Sequence, residues 1–527
     1  MAQTSLLRQQ PLANLIQRVS PTTWFALAAF CLLVLATGIY LSPEVTATLL
    51  LFFGIGTPLL LLLWSRPELG LLMVITITAS ILPLNLIDLR LPIGGGLKLR
   101  DIALLGMLAL SGLQMMLHKR DLIPWRPVGT ALSVFVGMAV FSALYAKLFQ
   151  GVPTNWAFND LRSIIFYTTF FITGWTVLKR KQLLVLLIGL LLVADLTAGI
   201  IIYQQFFGAN TPLIASMTDV NWKVWENSDA SSGLGSVRVI PPGHLLVYFM
   251  MLISTCLAIE VRQPLRLRLF SILQSIFLNL GLLLTFTRAQ YVAVAIAFAV
   301  MFLILLPTYK RQFIRLLIIG VPILMVTLSL FGNKFGDLSQ SRFFAALTDR
   351  FLSILTPGQT VKSDSLEWRV YETGEAIRSI REHPTLGVGL GNSYRDLTLV
   401  QGEVSGGWAG QTGEERTRFT RFVHNSYLYI AVKMGLPGLF IFVWFAICAC
   451  IYAWKAYARA VDRVYRGIIL AVLAGFLGLL QWSIFHVQLM QVESTVVIGL
   501  VVGLTGSVAY LAEQSRTTVN DGSYGRQ

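Results

Sequence analysis

Three side chains combine a reactive type with a position where chemistry is feasible. They are Arg288 in TFTRAQ, Arg369 in LEWRVYE and His424 in FVHNSYLYI. A guanidinium is planar and forked, so it pairs with phosphate oxygens two at a time. Arg288 ends one apolar run, and the connection to the next is too short to need a charge for topology. Anion binding therefore outweighs mere snorkelling there. Arg369 lies on a glutamate-rich segment and, taken alone, reads as half of a surface ion pair. His424 heads another apolar run. An imidazole there can accept a proton near neutral pH, and the positive end of a helix dipole favours its neutral form and attracts phosphate. Taken alone, it reads equally well as polar decoration at an interface.

The elements that hold these residues are set by composition. The chain has 527 residues, 55% of them hydrophobic and 13% charged, with a mean hydropathy of +0.70. Its apolar runs reach roughly 20 residues, long enough to cross a bilayer as helices. Strand-like alternation is missing, so a helical bundle is expected rather than a barrel. A soluble multidomain protein is excluded. The predicted architecture is an all-α polytopic membrane protein of about fourteen transmembrane helices. The runs are 22–41, 45–63, 69–87, 101–117, 128–148, 161–178, 182–204, 242–261, 268–287, 289–307, 313–331, 427–451, 467–486 and 490–512.

The net charge of +15 would point to nucleic acid in a soluble protein. In a membrane protein it reflects the Lys and Arg that cytoplasmic loops collect. The short loops on the N-terminal side of the bundle carry most of these residues. Both termini are therefore expected in the cytoplasm, in a multi-pass membrane protein. No nucleic-acid partner is implied; the bilayer is. Cys31, Cys256, Cys448 and Cys450 all fall inside predicted spans, so the hydrophilic loops offer no disulfide. The sequence has no Asp-x-Asp pair and no P-loop. Neither a metal site nor a nucleotide-driven pump is expected, and no cofactor is implied.

One hydrophilic segment, 332–426, is long, and orientation puts it outside. Within it, 366–382 has helical apolar spacing. His383-Pro384 stops that helix, because the residue before proline is pushed out of helical geometry. GVGLG at 387–391 then supplies a flexible turn. It follows a helix rather than a strand, so it is no dinucleotide fingerprint. Residues 402–418 read equally as a mobile lid or as disorder. A second outer segment, 205–241, is rich in Trp, Asn, Ser and Gly. It suits an interfacial aromatic belt, and also sugar binding through its rings. Asp195 and Lys433 fall inside spans, where ionisable groups are functional suspects. A hydrogen bond between helices accounts for Asp195 as well, and Lys433 is expected to reach outward to anionic headgroups.

With these segments in order, the sequence resembles the bacterial O-antigen ligase and O-antigen polymerase superfamily. The resemblance rests on TFTRAQYVAVAIA and on WRVYETGEAIRSIREHPTLGVGLGNSY followed by VHNSYLYIAVKMGLPGLFIF. It covers roughly 270–450, and divides the chain into an N-terminal transmembrane region (1–267), a ligase-like core with the outer loop (268–450) and a C-terminal hairpin with a cytoplasmic tail (451–527). It implies a metal-independent, inverting membrane glycosyltransferase, either polymerase or ligase. The donor would be a glycan on undecaprenyl pyrophosphate and the acceptor a second glycan or a lipid A core. A chain-length regulator would be a further partner. Carried over by motif, Arg288 and Arg369 would bind the pyrophosphate and His424 would act on the acceptor hydroxyl. His383, Gly387, Gly389 and Gly391 would shape the loop. The alternative from another class is a flippase for lipid-linked oligosaccharide. It predicts short loops throughout and charged residues along the middle of the bundle.

Overall fold

The computed structural model describes residues 57–79, 98–118, 121, 124–207, 225–226, 237–238, 240–260, 265–285, 287–305, 314, 318, 322, 364–395 and 420–524. The expected span 22–41, nearly all of 313–331 and the 402–418 segment lie outside these residues. The chain divides into two compact units, Met1–Pro67 and Glu68–Gln527. The first contributes helix α1 (Thr57–Ser65), and α2 (Pro67–Thr78) opens the second.

The second unit is a helical bundle. Its further helices are α3 (Leu99–Leu117), α4 (Arg126–Phe149), α5 (Thr154–Ile165), α6 (Thr169–Thr176), α7 (Arg180–Phe207), α8 (His244–Glu260) and α9 (Leu265–Leu283). They are followed by α10 (Arg288–Leu305), α11 (Asp364–Glu382), α12 (Ser426–Arg459), α13 (Arg463–Phe485) and α14 (Val492–Tyr524). Extended structure among the described residues is a two-residue antiparallel pair, Trp225–Glu226 with Val237–Arg238. Seven of the described helices are long and apolar enough to cross a membrane: those in α3, α4, α7, α10, α12, α13 and α14. This is a multi-pass membrane protein.

Most expected spans with described residues fall on a helix, and α12 and α14 run well past the expected ends. The run 161–178 is different. It is built from α5, a 3-10 turn at Phe166–Thr168 and α6. Backbone angles at Ile165 and Thr168 stay in the right-handed helical region, so the chain tightens without breaking. Hydroxyls supply the local cause: Thr168 Oγ1 donates to Ile165 O at 2.7 Å and Thr169 Oγ1 to Phe166 O at 2.9 Å.

The core lies among α8, α13 and α14, whose apolar faces are buried against other helices. Close approach is permitted by small residues. Gly499 and Gly503 of α14 sit so near Tyr167, Thr169 and Phe170 that a Cβ at either would overlap them. Tyr248 of α8 donates its hydroxyl to Gly475 O of α13 at 3.1 Å and lies near Ala293 O of α10 at 3.3 Å. That contact lies about one turn from the start of both α8 and α10, so Arg288 and His244 share one end of the bundle. Ser426 belongs to the same end, because its hydroxyl donates to His486 O, just past α13, at 2.9 Å, and the neighbouring Gln488 Nε2 lies 3.3 Å from His244 Nε2.

Candidate active site

His424 stands immediately before the N-cap of α12. The cap is Asn425, whose Oδ1 accepts from the backbone N–H of Tyr427 at 2.9 Å and of Leu428 at 3.2 Å. His-Asn at this point thus joins a chemical group to a helix start that fixes where it stands. The imidazole is 28% exposed and meets the Phe422 ring edge-on at 5.0 Å.

The imidazole is also held from outside its own helix. Glu372 of α11 is buried, and its Oε2 accepts from the His424 backbone N–H at 2.9 Å and contacts Nδ1 at 2.8 Å. Its other oxygen lies 3.9 Å from a guanidinium nitrogen of Arg395, whose side chain is fully buried and stacks over Tyr394 at 5.2 Å. Arg369 is one turn before Glu372 on the same face of α11. Burial lowers the Arg369 pKa from its ordinary value, and the charge of Glu372 pushes it back up. A guanidinium in this setting remains cationic at neutral pH.

Residues 393–395 and 420–422 hold this arrangement together. Tyr394 N–H donates to Thr420 O at 3.1 Å, and its hydroxyl to Phe422 O at 3.2 Å. Ser393 and Thr420 share a hydroxyl–hydroxyl bond at 3.0 Å. Arg421 lies over the Trp156 ring at 4.2 Å.

The glycine run beyond α11 is fixed rather than flexible. Gly387, Gly389 and Gly391 all have positive φ, at 64°, 88° and 81°. A Cβ at Gly387 would overlap the Val432 carbonyl, and one at Gly391 the backbone of Trp156 and Ala157. The run fills a break in α12. At Gly435 (φ 71°, ψ 179°) that helix leaves helical geometry, and Pro437 follows without an N–H. The carbonyls of Val432 and Lys433 lose their usual partners and are taken up by Val388 N–H at 2.8 Å and Gly389 N–H at 3.1 Å. In return, Leu436 N–H donates to Pro384 O at 2.9 Å. His383 is exposed at the end of α11.

Lys433 does not reach out to headgroups. It is fully buried and bonds to Asn392 O, and its Nζ lies 3.6 Å from Asp160 Oδ2 of α5. The same Asp160 oxygen accepts from Gly391 N–H at 2.7 Å. A buried ammonium needs a counter-charge, and Asp160 supplies it, with the loop's carbonyl as hydrogen-bond acceptor. Asp195 accepts a hydrogen bond from Gln274 of α9, the interhelical reading of that residue.

The structure therefore joins His424 to α11, the helix that carries Arg369, and seats Gly387, Gly389 and Gly391 against α4, α5 and α12. Arg288 stands exposed in the first turn of α10, at the same end of the bundle. Sequence reading missed Glu372, Arg395 and Asp160. For Glu372 a signal existed: it stands three residues after Arg369 on a face otherwise marked by alanine and serine. No such signal marks Arg395 or Asp160.

Residues 269–443 match the model of the O-antigen ligase family, Wzy_C. This stretch is similar to an O-antigen ligase domain. It runs from α9 to the middle of α12 and contains Arg288, Arg369 and His424, and the match supports the O-antigen ligase/polymerase superfamily for this part of the chain. In general terms the match supports a membrane glycosyltransferase of the O-antigen ligase/polymerase type. No curated protein matches the chain.

Proposed function

We propose that this protein transfers a glycan from undecaprenyl pyrophosphate to an acceptor hydroxyl at the outer face of the inner membrane. The observation that carries the reading is the bonding of His424, at the start of α12, to the helix that bears Arg369. Both residues, with Arg288, lie inside the ligase-family stretch.

In this reading Arg288 and Arg369 hold the pyrophosphate and neutralise the charge that grows as it departs. The acceptor oxygen attacks the anomeric carbon from the face opposite the leaving group. Its proton passes to His424 Nε2, and the bond from the anomeric carbon to the phosphate oxygen breaks. The electron pair leaves with undecaprenyl pyrophosphate, and the sugar is joined with inverted configuration. No general acid is needed, because pyrophosphate is a good leaving group, and no step requires a metal. The bond between the sugar and the pyrophosphate, broken in this step, supplies the driving force. Both termini lie in the cytoplasm in this reading, following the distribution of Lys and Arg.

The test is a liposome-reconstituted assay with undecaprenyl-pyrophosphate-linked oligosaccharide, comparing the wild type with His424→Ala. Release of undecaprenyl pyrophosphate with a longer lipid-linked glycan identifies a polymerase. Release only on addition of a lipid A core identifies a ligase. Movement of the donor across the bilayer with no release would replace the enzyme reading with a flippase.

A further inference from the structure

We infer that Glu372 is the positioning residue for His424, setting which ring nitrogen is free to take the acceptor proton, with the Arg395 guanidinium facing the other carboxylate oxygen. The inference rests on the reading of His424 as the base.

A buried carboxylate is costly unless its charge is met by hydrogen bonds or a cation. Glu372 is only 3% exposed in its side chain, and its two oxygens are used differently. Oε2 takes both the backbone N–H and the ring Nδ1 of the same residue, His424, at 2.9 and 2.8 Å. Oε1 faces the buried Arg395 guanidinium at 3.9 Å. An ionised carboxylate can only accept, so Nδ1 must carry the proton. The Nε2 lone pair is then free. The double attachment also fixes the ring in space, because one oxygen grips the main chain and the side chain together.

The arrangement does more than orient. When Nε2 takes the acceptor proton, the ring becomes a cation, and the Glu372 carboxylate already lies against Nδ1–H to stabilise it. This is the division of labour between an imidazole base and a buried carboxylate in hydrolytic triads. Here the carboxylate comes from a helix 52 residues earlier in the chain. A staple that only fastened α11 to the start of α12 would need the bond to the His424 backbone N–H but not the ring contact.

Two measurements test the inference. The first is transfer by Glu372→Gln, His424→Ala and the double variant in the liposome assay, each purified as a monodisperse protein. Glutamine keeps the shape and an acceptor oxygen but not the charge. Glu372→Gln is expected to lower kcat at least tenfold with the donor KM little changed, while Glu372→Asp recovers part of the loss. The double variant should be no slower than His424→Ala alone, since a residue acting through His424 has nothing left to act on. Additive losses, or full activity in Glu372→Gln while His424→Ala is inactive, would overturn the role of Glu372 and leave His424 standing. Full activity in His424→Ala would instead remove the base reading itself.

The second measurement needs no turnover. The chain has five histidines, so 15N-histidine labelling with His424→Ala as the assignment control isolates the relevant ring. The neutral wild-type ring should carry its proton on Nδ1, and Glu372→Ala should move it toward Nε2–H. The same tautomer in both proteins would overturn the inference.

Discussion

Lys433 and Asp160 form an ion pair of 3.6 Å between α12 and α5, with the ammonium fully buried and the carboxylate 17% exposed. The same carboxylate holds Gly391 N–H, so one oxygen ties together a membrane helix, its neighbour and the loop between α11 and α12. Removing one partner leaves the other charged group without its counter-charge. Asp160→Ala is expected to destabilise the protein by about 3 kcal/mol or more. Replacing both residues, as Lys433→Met with Asp160→Leu, should cost less than Asp160→Ala alone. Thermal unfolding in detergent, read as Tm for the two variants, checks the order.

The glycines divide by geometry. Gly387→Ala and Gly391→Ala put a Cβ into neighbouring backbone at positions with positive φ. Each should lower stability by about 1–3 kcal/mol and lower transfer activity with it. Gly374, in the middle of α11, has open space around its missing Cβ. Gly374→Ala should be neutral or stabilise by up to about 1 kcal/mol through helix propensity. A Tm that falls equally for all three would mean the loop is not held as described.

Donor binding is expected to depend on the guanidinium group and not on charge alone. Arg288→Ala and Arg369→Ala should lower kcat/KM for the lipid-linked donor on the order of 10²-fold. Arg288→Lys should recover little, because an ammonium cannot present two parallel N–H bonds. Steady-state kinetics with varied donor distinguish this from a folding defect. Unchanged kcat/KM in Arg288→Ala would remove that residue from the pyrophosphate site.

Asn425 separates stability from chemistry. Its side chain caps α12 through the Tyr427 and Leu428 N–H groups, and Asn425→Ala should cost about 1 kcal/mol. Asn425→Asp keeps the acceptor oxygen and should retain the cap. A loss of transfer in Asn425→Ala larger than the stability loss explains would show that the cap also sets the place of His424. The comparison is Tm against kcat for the same two variants.

The sequence revealed what depends on neighbours in the chain. Apolar runs marked where the long apolar helices among the described residues lie, because the bilayer demands length and hydrophobicity and little else. His383-Pro384 marked the end of α11 because proline acts on the residue beside it. Contacts between distant segments were hidden. Asp160 and Lys433 come from opposite halves of the chain, so nothing local showed that Lys433 turns inward. Glu372 looked like one more glutamate on a charged helix, since its partner His424 lies across a long hydrophilic stretch. The 3-10 turn at Phe166–Thr168 was also missed, because hydropathy does not register hydroxyls that bond back to their own backbone.

The break in α12 limits how this protein can be recombined. Val432 and Lys433 give up their carbonyls to Val388 and Gly389, while Leu436 borrows one from Pro384. HPTLGVGLG and VKMGLPG are thus two halves of one fastening, contributed by separate stretches of chain. A chimera that takes the loop from one relative and the helix from another would inherit mismatched halves, even if every span were preserved. For grafting acceptor specificity between relatives, the natural cut points lie outside both segments.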